Sequence, residues 1–232
     1  MKIVSITVLE QSFVRYDLEI EDNHNFVVEG IVVHNSNWLA VYTGGQFHVK
    51  SRTLWKREFE SRDHLNVKYF MDKGKTQEQA ELLVANINSK PNPMSSFWKG
   101  LRDNEPLQKM LMDNPDTFVF GELFGNTARI KYNIKEGNRV AIFDIWKENK
   151  FFDCTKTLEL ARKYGVEHVP VLNEHATFDM DEAIALAEGK TGVVGAREGT
   201  IREGIVIKPL TELWDKSGRV VLKCPSPSFL AI

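Results

Sequence analysis

Residues 1–35 constrain this chain most. Ile3 to Val8, Phe13 to Ile20 and Phe26 to Val33 are rich in β-branched and aromatic residues, and polar or glycine-containing turns separate them, so three strands are expected. So short a run of strands cannot bury an adequate core by itself. It must dock on something or be completed by a partner. Its charge is also lopsided. Lys2 and Arg15 stand against Glu10, Asp17, Glu19, Glu21, Asp22 and Glu29, a net of −4 in a 232-residue chain whose total is −2, which leaves +2 for the remainder. An acidic segment suits a basic partner, because opposite charge speeds encounter. A slightly basic remainder is compatible with a nucleic-acid groove.

The segment ends in Val32-Val33-His34-Asn35-Ser36. These residue types in direct adjacency suit peptide cleavage. The Asn35 amide can attack its own carbonyl carbon and cut the bond that follows. His34 can donate a proton to the leaving group. Ser36 can take an acyl group on its Oγ. The stretch from Arg15 through the YDLEI run of Tyr16 to Ile20, His24-Asn25-Phe26, and the apolar run into His34-Asn35 resembles the C-terminal splicing blocks of inteins, in order and spacing. With Met1 at its start, it resembles the C-terminal half of a split intein. The resemblance implies a short all-β segment that completes a horseshoe-like fold with a separate N-terminal polypeptide. It also implies that His24 and Asp17 support the acyl-transfer and cyclisation steps. The bland alternative is a β-meander with a chance His-Asn-Ser.

Composition narrows the class. A hydrophobic content of 42% with 27% charged residues describes a soluble globular protein. No apolar run approaches the roughly 18 residues of a membrane span, and the charged, alternating N-terminus is no signal core. Two cysteines, Cys154 and Cys224, argue against a disulfide framework or a zinc site and for a reducing, cytoplasmic compartment.

From Ser36 the pattern changes. Trp38 to Thr43 and Gln46 to Ser51 flank Gly44-Gly45 and predict a hairpin. Helices are expected over Thr76 to Ser89 with Thr76 as N-cap, over parts of Phe97 to Leu111, over Thr155 to Tyr164 closed by Gly165, and over Asp179 to Glu188. Strands are expected over Thr117 to Phe124, Asn138 to Ile145, Ile205 to Ile207 and Arg219 to Lys223. The mixed order predicts an α+β fold of antiparallel sheets with flanking helices. The expected organisation is 1–35 as the β segment and 36–232 as one further domain.

Five motifs follow in order: Val49-Lys50-Ser51-Arg52-Thr53, Phe120-Gly121-Glu122-Leu123-Phe124-Gly125, Ile142-Phe143-Asp144-Ile145, Glu203-Gly204-Ile205-Val206-Ile207-Lys208-Pro209, and Leu222 to Phe229. Together they resemble the nucleotidyltransferase motifs of ATP-dependent ligases, above all phage RNA ligases of the RNA ligase 2 type. The resemblance implies ATP (as AMP) and Mg²⁺ as cofactors and RNA ends as substrate. It implies Glu203 on the metal, Lys208 and Lys223 on phosphate oxygens, Glu122 on a ribose hydroxyl, Phe143 against adenine, Arg52 on phosphate or ribose, and a further role for Asp144. A Phe in an apolar strand is as often core, and Arg52 also fits a plain basic face with Lys50, Lys56 and Arg57.

The family's first motif, Lys-x-His-Gly followed by a small residue and Asn, is missing before Ser36-Asn37. The nucleophilic Lys is therefore expected on the N-terminal partner, the polypeptide that carries Lys-x-His-Gly. The last motif departs too: Pro225 stands where a second Lys is usual, and Arg219 is the cation nearest in sequence that could replace it. The remaining histidines, His48, His64, His168 and His175, have no metal-ligand spacing. Trp55, Trp98, Trp146 and Trp214 read as core or groove wall. A DNA ligase fragment and a non-splicing, ligase-like nucleic-acid-binding protein are the alternatives.

Overall fold

The computed structural model describes residues 3–8, 16–20, 26–28, 31–33, 37–125, 138–174, 176–216 and 218–231, with side chains from residue 37 onward. The first segment holds β1 (Ile3–Val8), β2 (Tyr16–Ile20), β3 (Phe26–Val28) and β4 (Ile31–Val33), paired antiparallel as β1 with β2 and β3 with β4. The single strand expected over Phe26 to Val33 is thus two. Val28 pairs with Ile31, so the chain reverses between them.

Next come β5 (Asn37–Thr43) and β6 (Gln46–Ser51), then α1 (Val67–Asp72), α2 (Gln77–Asn88), α3 (Ser96–Arg102) and α4 (Glu105–Asp113). After these lie β7 (Phe118–Phe124), β8 (Arg139–Lys147) and β9 (Lys150–Phe151), α5 (Cys154–Tyr164) and α6 (Met180–Ala187). The chain closes with β10 (Gly204–Ile207), β11 (Trp214–Asp215), β12 (Gly218–Arg219), β13 (Leu222–Pro225) and α7 (Pro227–Leu230). The α+β architecture follows the patterning. Thr76 caps α2 in a reciprocal capping box with Gln79, Asp179 caps α6 through the Glu182 amide, and Gly165 ends α5 with φ 70°.

One five-stranded antiparallel sheet, ordered β6-β5-β7-β8-β9, organises the body. Its two faces differ. Trp38, Ala40, Val49, Val119, Val140, Ile142 and Ile145 face Trp98 and Leu101 of α3, Leu107, Met110 and Leu111 of α4 and Ala161 of α5, and together they form the main core. Most of these are under 2% exposed, which at about 25 cal/mol per Å² makes this face the main source of stability. Directly opposed residues of neighbouring strands share a face. The rows Lys50–Leu39–Phe120–Asp144 and Asn37–Glu122–Ala141 therefore occupy the other face.

A bulge modifies that second face. The β7–β8 register shifts between Phe120 and Gly121, which pair with Asp144 and Ile142. Phe143 is the extra residue. The shift lets both Ile142 and Ile145 reach the core while turning Asp144 to the opposite face, the re-aiming that bulges perform near sites.

One expectation needs correction. Arg219 to Lys223 is not one strand: Arg219 pairs with Trp214 in the β11–β12 hairpin, whereas Leu222 to Pro225 pair with β10. The tryptophans divide between core and surface. Trp98 is buried, but Trp55 and Trp214 are 56% and 60% exposed.

Candidate nucleotide-binding site

The second face of the sheet carries the candidate residues, and the β10–β13 ribbon brings more to it. Glu122 projects from β7 and is half-buried. Burial, with Glu203 as a nearby like charge, pushes its carboxyl up to about 8, partly offset by Lys223. Glu203 immediately precedes β10 and Lys223 lies on β13, so the two-stranded ribbon delivers both to Glu122.

Gly204 makes this close pairing possible. Its φ is +143°, and a Cβ there would stand 2.3 Å from the Cys224 carbonyl oxygen and 2.6 Å from the Pro225 Cα. Only a residue without a side chain lets the Glu203 backbone approach β13 so closely. Ser226 donates its N–H to the Glu203 carbonyl at 2.9 Å and so anchors that residue.

A second cluster lies along the same face. Lys208 Nζ donates to Asp144 Oδ1 at 2.9 Å and to the Phe143 carbonyl at 3.0 Å, and it sits 5.3 Å from the Phe143 ring centroid. Arg219 Nη1 donates to Asp144 Oδ2 at 2.7 Å and Nη2 to Oδ1 at 2.8 Å. Arg219 also pairs with Glu212 and stacks on Phe151, 3.9 Å from the ring centroid. Asp144 is only 5% exposed. A carboxylate this buried persists because two cations compensate it.

The arrangement joins Glu122, Glu203 and Lys223 in one group and Phe143, Asp144 and Lys208 in the next. Arg52 is exposed in the turn after β6, beside Ser51, whose partner Trp38 pairs in turn with Gly121. Arg219 does not stand in for the Lys that Pro225 replaces, because its guanidinium is held by Asp144 and Glu212. Glu212 and Phe151 were not singled out from the sequence. They matter only through Arg219, and no spacing connects them to it. His168 is half-buried; burial lowers its pKa, and its Nδ1–H donates to the Val169 carbonyl at 2.7 Å, as suits an ordinary structural histidine.

His24, His34, Asn35 and Ser36, the residues expected to act in splicing, lie outside the described residues, as does His175. Asp17 lies on β2, its backbone opposite Thr7. The described chain resumes at Asn37, whose backbone lies opposite Glu122, and β4, which ends at Val33, runs beside β13. Among the described residues no three His, Cys, Asp or Glu side chains gather as a metal cluster, and no helix is long and apolar enough to cross a membrane.

No curated protein matches the chain. Solved structures do. A Naegleria gruberi RNA ligase with PPi is 18% identical at a TM-score of 0.55, with 85% of this chain covered and 48% of that one. A mutant of the same organism's enzyme with ATP and Mn, and another with AMP and Mn, are each 17% identical at a TM-score of 0.59, with the same coverage. The chain thus spans about half the length of the solved structures it matches, and at this identity the likeness speaks for the fold. The profile of the RNA ligase family matches residues 25–224, beginning inside the segment read as 1–35 and taking in Arg52, Glu122, Phe143, Asp144, Glu203, Lys208 and Lys223. With a match over most of its length that includes the residues gathered on one face of the sheet, the chain belongs to the RNA ligase family.

Proposed function

We propose that this chain is a protein trans-splicing precursor whose spliced product is an ATP-dependent RNA ligase. The observation that carries the ligase half is the convergence of Glu122, Glu203 and Lys223 on the sheet face that also holds Phe143, Asp144 and Lys208. The residues fit a nucleotide with a divalent cation. Glu122, whose carboxyl is raised first by burial and then by the like charge of Glu203, would be relieved by a hard cation held beside the pair. Mg²⁺ needs only one or two protein carboxylates when phosphate and water complete its shell. In this reading Glu203 holds Mg²⁺, and the ion supplies charge neutralisation to the phosphates when bound. Glu122 accepts from a ribose hydroxyl, Phe143 stacks on adenine, Lys223 and Lys208 neutralise phosphate oxygens, and Arg52 reaches phosphate or ribose. Asp144 orients Lys208.

The nucleophile comes from the partner. Aligned on Ser36-Asn37, the place of the family's Lys is Val32 here, on β4 beside β13. A Lys brought to that place by splicing would lie on a strand beside the one that carries Lys223, a cation that would favour its neutral, attacking form. Splicing itself rests on the sequence. The N-terminal half docks, an acyl group passes to Ser36 Oγ, Asn35 cyclises with His34 protonating the leaving group, and an O-to-N shift leaves a native peptide bond. His24 and Asp17 assist, as the intein blocks imply. RNA ends are the substrate of the product and the cytoplasm its compartment.

The test joins the two halves. The chain is mixed with a polypeptide carrying an intein N-terminal half preceded by Lys-x-His-Gly, and the product is weighed. Loss of residues 1–35 with gain of the partner's extein is the expected result, and Asn35→Ala should abolish it. The product, but not the isolated chain, should then take a covalent label from ATP with Mg²⁺. A covalently labelled isolated chain, or release of residues 1–35 from Asn35→Ala at an unchanged rate, would overturn the corresponding half.

A further inference from the structure

We propose that Trp55, fixed against Lys50 and His48 at the β6 edge of the site face, is a stacking platform for an unpaired base of the RNA strand. The inference rests on the ligase reading and assigns its nucleic-acid substrate a place outside the nucleotide site.

Trp55 is a large aromatic residue with more than half its surface in solvent, yet its position is tightly determined. Ser51 N–H donates to the Leu54 carbonyl at 2.9 Å, and Ser51 Oγ accepts from the Leu54 N–H at 3.2 Å. Lys56 N–H donates to the Val49 carbonyl at 2.8 Å, and Trp55 forms an antiparallel bridge with Lys50. The segment therefore folds back along β6 as an extra edge. Lys50 Nζ lies 5.6 Å from the Trp55 ring centroid, and the His48 ring meets it edge-on at 6.0 Å. An exposed side chain held this firmly loses little conformational entropy when a ligand covers it.

Two observations identify the occupant. The first is direction. Lys50, Leu39, Phe120 and Asp144 form one row across the sheet on the site face, and His48 lies two residues from Lys50 on that same face. The Trp55 ring, packed on Lys50 and His48, therefore overlies the face that carries Glu122. Strands are about 4.8 Å apart, so Lys50 stands roughly 10 Å from Phe120. Trp55 bridges Lys50 as one further edge and Asp144 lies one strand beyond Phe120, so a strand lying over Trp55 spans roughly 19 Å, about three nucleotides, to reach the nucleotide site. The second is charge. Residues 50–57 contain Lys50, Arg52 and Arg57, besides Lys56 whose ammonium lies over Phe97 on the core face, and no acidic residue, in a chain whose net charge is −2. An exposed aromatic ring amid concentrated positive charge is the combination that binds single-stranded nucleic acid, by stacking on the bases and neutralising the backbone.

The full chain is titrated with a fluorescein-labelled short single-stranded RNA, and binding is read by anisotropy. Trp55→Ala should weaken binding about tenfold, and Trp55→Phe should keep most of the affinity. Leu82→Ala, an exposed position on α2, should leave it unchanged. Lys50→Ala should flatten the salt dependence by about one unit of slope. As a second measurement on the unaltered chain, RNA carrying 5-iodouridine should photocross-link at Trp55. Absent RNA binding, a Trp55→Ala chain with wild-type affinity, or cross-links that avoid residues 48–57 each overturns the platform. ATP binding, measured separately, distinguishes the two proposals. A chain that binds ATP but ignores the Trp55 substitutions keeps the ligase reading and loses the platform. One that stacks RNA on Trp55 but binds no ATP after splicing keeps the platform and loses the ligase reading.

Discussion

Asn37 lies opposite Glu122 across the β5–β7 ladder, so the residue that follows Ser36, the first residue after the proposed splice junction, neighbours the carboxyl that burial pushes up to about 8. In the proposed reading, a new N-terminal segment joined at Ser36 leads into β5 beside Glu122.

The raised Glu122 pKa gives a pH prediction. The carboxyl is ordinarily near 4.5 and is pushed to about 8 in the fold. The folded state therefore binds the proton more tightly than the unfolded one. This contribution to stability is fully present below about pH 4.5 and is lost as pH rises through 8. The melting temperature of the wild-type chain should fall between pH 5 and pH 8.5 by roughly 5 °C more than that of Glu122→Gln. Parallel curves for the two proteins would show that Glu122 is ionised throughout.

Asp144→Asn should be costly. It leaves Lys208 without a carboxylate and Arg219 with Glu212 alone, in a site where the three side chains of the Asp144 pairs are 8–15% exposed. Breaking a buried pair on one side costs about 3 kcal/mol. Thermal or urea denaturation should show that loss, whereas an exposed pair such as Lys109–Asp113 should contribute less than about 1 kcal/mol.

Gly204→Ala should separate β10 from β13. The added methyl would overlap the Cys224 carbonyl and the Pro225 backbone, and backbone cannot move aside as a side-chain tip can. A stability loss of about 2 kcal/mol or more is expected. AMP transfer by the spliced product should fall with it, since Glu203 and Lys223 would no longer be held together.

In the spliced product, Glu203→Ala and Lys223→Ala should each reduce AMP transfer about a hundredfold, the cost of losing one charge partner of the transition state. Both should still splice. Mass spectrometry of the product followed by labelling with ATP separates the two effects, and unimpaired AMP transfer in both variants would misplace the site.

What the sequence determined by itself was local. Alternation and capping defined the hairpin of β5 and β6, the Thr76 cap of α2 and the Gly165 stop of α5, because each depends on residues a few positions apart. The order of the motifs carried the family, since residues 25–224 match it whatever their arrangement in space. Only the tertiary structure decided which charges meet. Arg219 is a free cation in the sequence, but in the fold it is held by Asp144, 75 positions away, and by Glu212. Phe143 looks like one more apolar strand residue until the β7–β8 bulge sets it out of register. Trp55 reads equally as core or groove wall until the Ser51–Leu54 turn folds it onto the face that holds Glu122. Hydrogen bonding and periodicity act along the chain and can be read from it. Desolvation and Coulomb energy depend on distance through space, and only packing sets those distances.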